Sequence, residues 1–475
     1  MVPGRACLGE SGRDGGLSVR KPLLPRLADF LRRLLSHPLI QRVIRNTGYL
    51  FSAQTISAAL SMGQGILAAR LLGVEGAGLV GIITQFSSNA NQLTSFRMGE
   101  LVLSFVGEFM ARGKPERAAA VFKAAVLVEF IGSALAYGLV LVFARLGAQI
   151  FAHEPALAPL FSIYGLSVLA SLFAESGEGL LQYFDRFRLI AGITIGQSLL
   201  TVGLIAAAFL RGGGLMDVVL AYLAGKVAWG VAISLASLQE ARRSWGPGWW
   251  KASLMDLRGR WRDLVRFAVS TNLSGTIKLV TRDSEMLWLG AFSSPLQVGY
   301  YKIAKAVSNV VMMPVTPLIR TTYREVAREV ADRQWENVRY LLRSGTLIAA
   351  TWTLPAALGL ILFGRWVVAL YGSEFLPTSF DALMILLAGV AAANILYWNQ
   401  LVLLPLGMPD YPTKVQFVAA IGKVAGTVLL VPIMGALGMA ALLSGFLIFT
   451  SGALVWKSLR ALRHAELRPV PAAGG

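Results

Sequence analysis

The run LIAGITIGQSLLTVGLIAAAFL, residues 189–210, decides the fold class: it carries no charge and is fenced by Arg186 and Arg188 before it and Arg211 after it. A helix of that length rises about 33 Å, enough to cross the hydrocarbon core of a bilayer. Comparable apolar runs recur along the whole chain. The composition agrees, with 55% hydrophobic and 15% charged residues and a mean hydropathy of +0.61. A soluble domain carries about 25% charged residues to cover its surface. The chain therefore reads as an all-α membrane protein, and a soluble enzyme is excluded.

Twelve spans are expected. The first six cover about 46–69, 77–108, 119–145, 157–181, 189–210 and 215–238, and the second six about 264–290, 297–319, 341–363, 380–404, 412–432 and 436–456. The distribution of charge supports this count. With the N-terminus in the cytoplasm, the inside connections hold Arg112, Lys114 and Arg117, then Arg186 and Arg188, then six basic residues from Arg242 to Arg262. Five arginines from Arg320 to Arg339, Lys414, and the tail residues Lys457, Arg460, Arg463 and Arg468 continue the series. The opposite connections offer Arg70, Arg145, Arg211 and Arg365. This is the positive-inside pattern of a multi-pass protein with both termini cytoplasmic. The net charge of +18 thus belongs to the cytoplasmic ends of helices and not to a nucleic-acid surface.

Residues 1–45 read as a start without order, followed by a basic amphipathic helix. Leu27, Phe30, Leu31, Leu34 and Leu35 share a face opposite Arg26, Arg32, Arg33 and Arg42, as in a helix lying on a membrane or packed on the protein. No compact apolar core precedes Asn46, so no cleavable signal peptide is read and the first span is expected to direct its own insertion. The halves also repeat. Leu72-Gly73 with Ala77-Gly78-Leu79 corresponds to Leu289-Gly290 with Val298-Gly299-Tyr300, at an offset of about 220 residues. The expected organisation is an N-lobe (46–238), a basic cytoplasmic linker (239–263), a C-lobe (264–456) and a tail (457–475). Trp245, Trp249, Trp250 and Trp261 in and beside the linker would anchor it at the membrane interface. Together these give about twelve transmembrane helices in two pseudo-symmetric six-helix lobes around a central cavity.

Cys7 is the only cysteine, and His37, His153 and His464 lie far apart outside the spans, so neither a disulfide framework nor a Cys- or His-based metal site is expected. Charges inside the spans are costly and usually face a cavity or a partner. The basic ones are Arg97, Lys226, Lys278, Arg282, Lys302, Lys305 and Lys423. The acidic ones are Glu100, Glu108, Glu129, Glu175, Glu178, Asp283 and Glu285. Lys278, Arg282 and Glu285 share one helical face, as do Lys302, Lys305 and Asn309. Asn89, Gln92 and Ser95 form an uncharged stripe near Arg97 and Glu100. The structural alternatives are an Arg282–Glu285 ion pair, snorkelling or sealed Lys226 and Lys423, and a structural or interfacial Asp283. Lys302 and Lys305 have no acid at i±3 or i±4, which favours a place on a cavity wall.

A cationic, polar-lined cleft implies an anionic headgroup such as phosphate or pyrophosphate. The candidate substrate-binding residues are Lys302, Lys305, Lys278, Arg282, Arg97, Asn89, Gln92, Asn309, Lys226 and Lys423. Glu285, Glu100, Glu129, Glu175 and Glu178 are the candidates for coupling to H⁺ or Na⁺. No catalytic residue, metal or cofactor is expected.

Several stretches, in order and spacing, resemble the bacterial polysaccharide (oligosaccharide) flippases of the multidrug/oligosaccharidyl-lipid/polysaccharide exporter superfamily. They are Leu72-Gly73 with Ala77-Gly78-Leu79, residues 285–290 (EMLWLG) with Val298-Gly299-Tyr300-Tyr301 and Ile303-Ala304, residues 370–375 (LYGSEF) with residues 382–386 (ALMIL), and Pro432 with residues 435–440 (GALGMA). The family usually has Asp where this chain has Glu285. The resemblance implies a polyprenyl-pyrophosphate-linked oligosaccharide, turned across the cytoplasmic membrane by alternating access for cell-surface polysaccharide such as O-antigen or exopolysaccharide. Its partners would be that substrate, membrane lipids and polysaccharide-assembly proteins. The alternatives are a cation-coupled small-molecule exporter of the same superfamily and, from a different class, a membrane glycosyltransferase or polymerase. The short outside loops and scarce extracytoplasmic acids argue against the last.

Overall fold

The computed structural model describes residues 38–171 and 173–466, with side-chain surroundings from Thr55 onward except at a few helical positions. Two compact units divide the chain, Met1–Asn46 and Thr47–Gly475. The first is described only from Pro38, all of it helical, so most of the amphipathic helix expected over 25–45 lies outside the described residues. Everything below concerns the second. It is helical throughout, with no strand among the described residues, as a bilayer requires of backbone that must satisfy its own hydrogen bonds.

Eight helical stretches among the described residues are long and apolar enough to cross a membrane: Thr55–Ala111, Pro115–Phe151, Pro155–Tyr183, Phe187–Leu210, Leu215–Trp245, Trp335–Ala369, Ser373–Ile395 and Asp410–Glu466. Many exposed side chains on these stretches are large and apolar, among them Val142, Leu210, Trp366 and Ile433, each more than 70% exposed. On a soluble surface such residues would be a liability; here they face lipid. The chain is a multi-pass membrane protein.

Two of the eight stretches are too long for one crossing, and each is broken at a glycine. Gly73 (φ 68°) interrupts α1 (Pro38–Thr94), and Gly435 (φ 54°) interrupts the last helix, Asp410–Glu466. In the latter, a Cβ on Gly426 would run into the side chain of Leu442. Sixteen residues of straight helix would separate them by about 24 Å, so the chain doubles back at Gly435. With both folds counted, and with the interrupted segments at 261–292 and 295–331 added, the crossings number about twelve. Prolines open several helices, including α3 (Pro115–Phe151), because the first turn of a helix does not need the missing N–H.

The turns expected on the outside gather at one end of the molecule. The Arg70 Nε donates to the Leu370 carbonyl (2.7 Å), His153 Nε2 bonds the Gly290 carbonyl (2.8 Å), and the Ala436 N–H donates to Gln297 Oε1 (2.9 Å). The basic connections gather at the other end, where Arg260 is bidentate to Glu108, Arg186 pairs with Glu240, and Arg339 pairs with Glu466. Hydrogen-bonded Glu240 and Glu108 raise the guanidinium pKa of Arg186 and Arg260 respectively, so both stay charged. Of the four tryptophans expected at the interface, Trp250 and Trp261 are about half exposed. Trp245 and Trp249 instead pack on Phe122, with ring centroids at 5.9 and 5.3 Å. They pack against the apolar cluster that includes Ala118, Val121 and Phe122 of α3.

The halves meet reciprocally. A Cβ on Gly78 would overlap the Pro295 carbonyl, and one on Gly299 would overlap the Val74 carbonyl. These pairs exchange under the repeat offset, as a two-fold relation demands of an interface. The crossing brings α1 against α10 (Pro295–Met312), backbone to backbone, near the turns at Gly73 and Ser294.

Four spans read as continuous in the sequence are interrupted. Ser95–Arg97 separates α1 from α2 (Met98–Ala111), with Arg97 in the left-handed region (φ 51°). α4 (Ala158–Ala170) ends at its cap Ser171, and α5 (Ala174–Tyr183) starts from its cap Phe173. A π-helical turn, Leu279–Asp283, lies between α8 (Trp261–Lys278) and α9 (Glu285–Phe292). Residues 313–315 part α10 from α11 (Thr316–Ala331). The first three interruptions frame the cavity described next.

Candidate binding cavity

Breaking a helix inside a membrane leaves backbone groups that need other partners, and it is tolerated where the break lines a cavity. The structure shows both solutions. The start of α5 is capped by Glu129 of α3, whose carboxylate accepts from the backbone N–H of Glu175 (2.8 Å) and Ser176 (2.9 Å) and from the Ser176 hydroxyl (2.5 Å). A carboxylate at a helix N-terminus also meets the positive end of its dipole. At the break between α1 and α2, the Asn272 side chain of α8 donates to the Ser95 carbonyl at 2.6 Å.

Between these breaks lies a cavity of ≈ 450 Å³. Gln85, Ser88, Asn91, Gln92, Ser95 and Arg97 supply one wall; Glu175, Asn272, Gly275, Asp283 and Lys305 supply the rest. Its surface is mostly polar. A second recess of ≈ 290 Å³ shares Gln85, Ser88 and Asn91 with it and extends toward Tyr164, Ser167 and Lys226. The Gly78–Gly299 crossing stands between the cavity and the turns at Gly73 and Ser294. Toward the basic end, α8 packs on α2 through Phe105 and Phe267 (5.7 Å between centroids).

The candidate cations divide by environment. Arg97 and Lys305 line the larger cavity and Lys226 lines the recess. Lys305 is not without an acid, as its helix alone suggested: its Nζ donates to Glu285 at 2.6 Å. Glu285, 2% exposed, also accepts from Lys423 and from the Tyr301 hydroxyl (2.6 Å). The acid reaches Lys305 from the neighbouring helix, which spacing along one helix cannot register. The Arg282–Glu285 ion pair is absent, because the two lysines and the tyrosine occupy the carboxylate; Arg282 offers Lys305 only its backbone carbonyl (3.3 Å). Lys302 donates to the Ala77 carbonyl of the other half at 2.9 Å and lines neither cavity. Lys278 pairs with Asp283 at 3.6 Å, and Gln92 donates to the same carboxylate at 3.2 Å. Asp283, read as structural or interfacial, thus stands in the cavity wall, because the π-turn rotates it there. Asn89 shares a 2.8 Å hydrogen bond with Ser284 and is buried between the halves, and Asn309 is exposed away from the cavity.

The coupling candidates separate in the same way. Glu100 pairs with Arg97 (3.0 Å), Glu129 caps α5, Glu178 accepts from Gln182 (3.0 Å), and Glu285 is held between lysines. Only Glu175 lines the cavity, where it accepts from Ser95 (2.8 Å) and has no cation within ion-pair reach among the described residues. The larger cavity's wall is therefore charge-balanced, with Arg97 and Lys305 against Glu175 and Asp283, and not net basic as the sequence suggested. The neglected wall residues Gln85, Ser88 and Asn91 recur at helical spacing, a signal the sequence does carry.

Two pseudo-symmetric helical halves that cross at one end and enclose a polar, charged cavity define a two-lobed membrane transporter fold. Residues 43–323, more than half of the chain, match the polysaccharide biosynthesis protein family, and the chain belongs to it. Among curated relatives, it is 26% identical over 192 residues to the probable flippase AglR of Haloferax volcanii. That alignment spans 39% of each protein, about two fifths of the relative's length. Among solved structures, a multidrug resistance MATE family transporter of the MOP superfamily in an inward-facing conformation superposes with a TM-score of 0.70. It is 14% identical, with 86% of this chain and 95% of that one covered. The lipid II flippase MurJ in an inward closed conformation gives 0.66 at 13% identity, covering 88% and 90%. At such identities these two establish the fold.

Proposed function

We propose that the protein translocates a polyprenyl-pyrophosphate-linked oligosaccharide across the cytoplasmic membrane by alternating access, without catalysis and without a cofactor. The observation that carries this reading is the cavity at the helix interruptions, where Arg97 and Lys305 face a polar space between the halves. A pyrophosphate would sit between these two cations in a site of reduced dielectric, the glycan in the polar cavity, and the lipid tail outside in the bilayer. Membership of a polysaccharide biosynthesis family and partial similarity to a probable flippase support the choice of cargo. In this reading residues 46–238 and 264–456 are the lobes, the basic linker 239–263 joins them, the basic end faces the cytoplasm with both termini, and polysaccharide-assembly proteins act before and after it.

The test is binding of inorganic pyrophosphate to the full-length protein in nanodiscs. Arg97→Gln and Lys305→Gln should each weaken it by about tenfold or more, the loss of one charge-assisted contact. Unchanged affinity in both would remove the headgroup site. A second reading, a cation-coupled small-molecule exporter, is favoured by one observation: Glu175 is a cavity carboxylate without a basic partner among the described residues. Under that reading Glu175→Gln abolishes efflux of a lipophilic cation; under the first it leaves pyrophosphate binding intact.

A further inference from the structure

The smaller recess has a donor excess that the headgroup site does not use. Lys226, in the middle of the helix Leu215–Trp245, points its ammonium into it and makes no ion pair or hydrogen bond with any described residue. Its ammonium lies 5.9 Å from the Trp229 ring centroid. The Ser87 hydroxyl lies in the same wall, 1% exposed, with no hydrogen-bond partner among the described residues. Tyr164, 5% exposed, lines the recess beside it. Among the described residues no carboxylate lines the recess. Buried donors without acceptors are costly in a folded protein and are kept where something else supplies the acceptor.

We infer that this recess is a second anion subsite, one that takes a carboxylated sugar of the glycan. The inference rests on the flippase reading and deepens it. One cation with neighbouring hydroxyl donors matches a single carboxylate flanked by sugar hydroxyls, whereas a pyrophosphate needs the two cations of the larger cavity. The shared wall of Gln85, Ser88 and Asn91 makes the two spaces continuous, so one molecule can hold its pyrophosphate at Arg97 and Lys305 and place a uronic-acid residue at Lys226. Lys226 would then select glycans by charge.

The experiment is isothermal titration of the full-length protein in nanodiscs with glucuronate, glucose and inorganic pyrophosphate as separate probes. The expected result is glucuronate binding without comparable glucose binding, weakened about tenfold or more by Lys226→Gln and largely kept by Lys226→Arg. An unchanged thermal transition in Lys226→Gln shows that the variant is folded. Absence of glucuronate binding, equal binding of glucose, or indifference to Lys226→Gln would each overturn the subsite. Pyrophosphate binding that is insensitive to Arg97 and Lys305 would instead count against the flippase reading, so the two failures are distinct.

Discussion

The glycine crossing is expected to be a gate, and adding one methyl group tests it. At Gly78 a Cβ would stand 2.8 Å from the Gly299 nitrogen and overlap the Pro295 carbonyl outright. Backbone packed against backbone cannot give way as a side chain would. Overpacking of this kind costs about 1–3 kcal/mol, and the whole cost falls on the state in which the halves touch. Gly78→Ala should therefore shift the population toward the state open at the non-basic end by about 5- to 150-fold. The reporter is Gln85→Cys, on the wall of both cavities, in a Cys7→Ser background that contains no other cysteine. The assay is its labelling rate by a membrane-impermeant maleimide added at the non-basic side. Gly299→Ala should act in the same direction, since its Cβ meets the Val74 carbonyl. Gly63→Ala, where an added Cβ meets nothing within 4 Å, should do nothing. Folded Gly78→Ala and Gly299→Ala proteins that label at the parental rate would refute the gate and make the crossing a fixed structural contact.

Removal of Glu285 takes away the carboxylate that two lysines share, one of them 5% exposed; Glu285→Met should cost about 3–5 kcal/mol, read as a fall in Tm in detergent. Pairing it with Lys423→Met should recover part of that loss, and an unchanged Tm in the single variant would contradict the buried triad. Glu129→Ala deletes the cap on α5 and should cost about 1–3 kcal/mol in thermal unfolding, with Glu129→Gln costing less because it keeps an acceptor. Equal stability of all three proteins would mean that the α5 N-terminus finds its partners elsewhere.

The membrane class and the number of crossings were legible because both rest on local quantities. Uncharged runs such as 189–210 set the spans, and arginines between them set the ends. The repeat at Gly78 and Gly299 was legible as similarity, although only the folded chain shows that the matched glycines touch each other. The interruptions were not legible. Ser95, Ser171 and Asp283 look like ordinary polar residues in a span until a partner from another helix, such as Asn272 or Glu129, takes over the freed backbone. The ionic partners were hidden for the same reason. Helical spacing finds i±3 and i±4 neighbours, while Lys305 meets its acid across two helices and Lys302 meets a carbonyl across two halves. What spacing did yield was Gln92 and Ser95 of the larger cavity's wall, because they stand three residues apart at the end of α1, before the chain turns at Arg97.

The central claim is tested most directly by reconstituting the purified protein in liposomes that carry a polyprenyl-pyrophosphate-linked oligosaccharide. A membrane-impermeant glycosidase then follows the appearance of glycan in the opposite leaflet. The account expects translocation well above protein-free liposomes, reduced about tenfold or more in an Arg97→Gln/Lys305→Gln protein that still folds. A rate equal to protein-free liposomes, or one indifferent to those two cations, would contradict it.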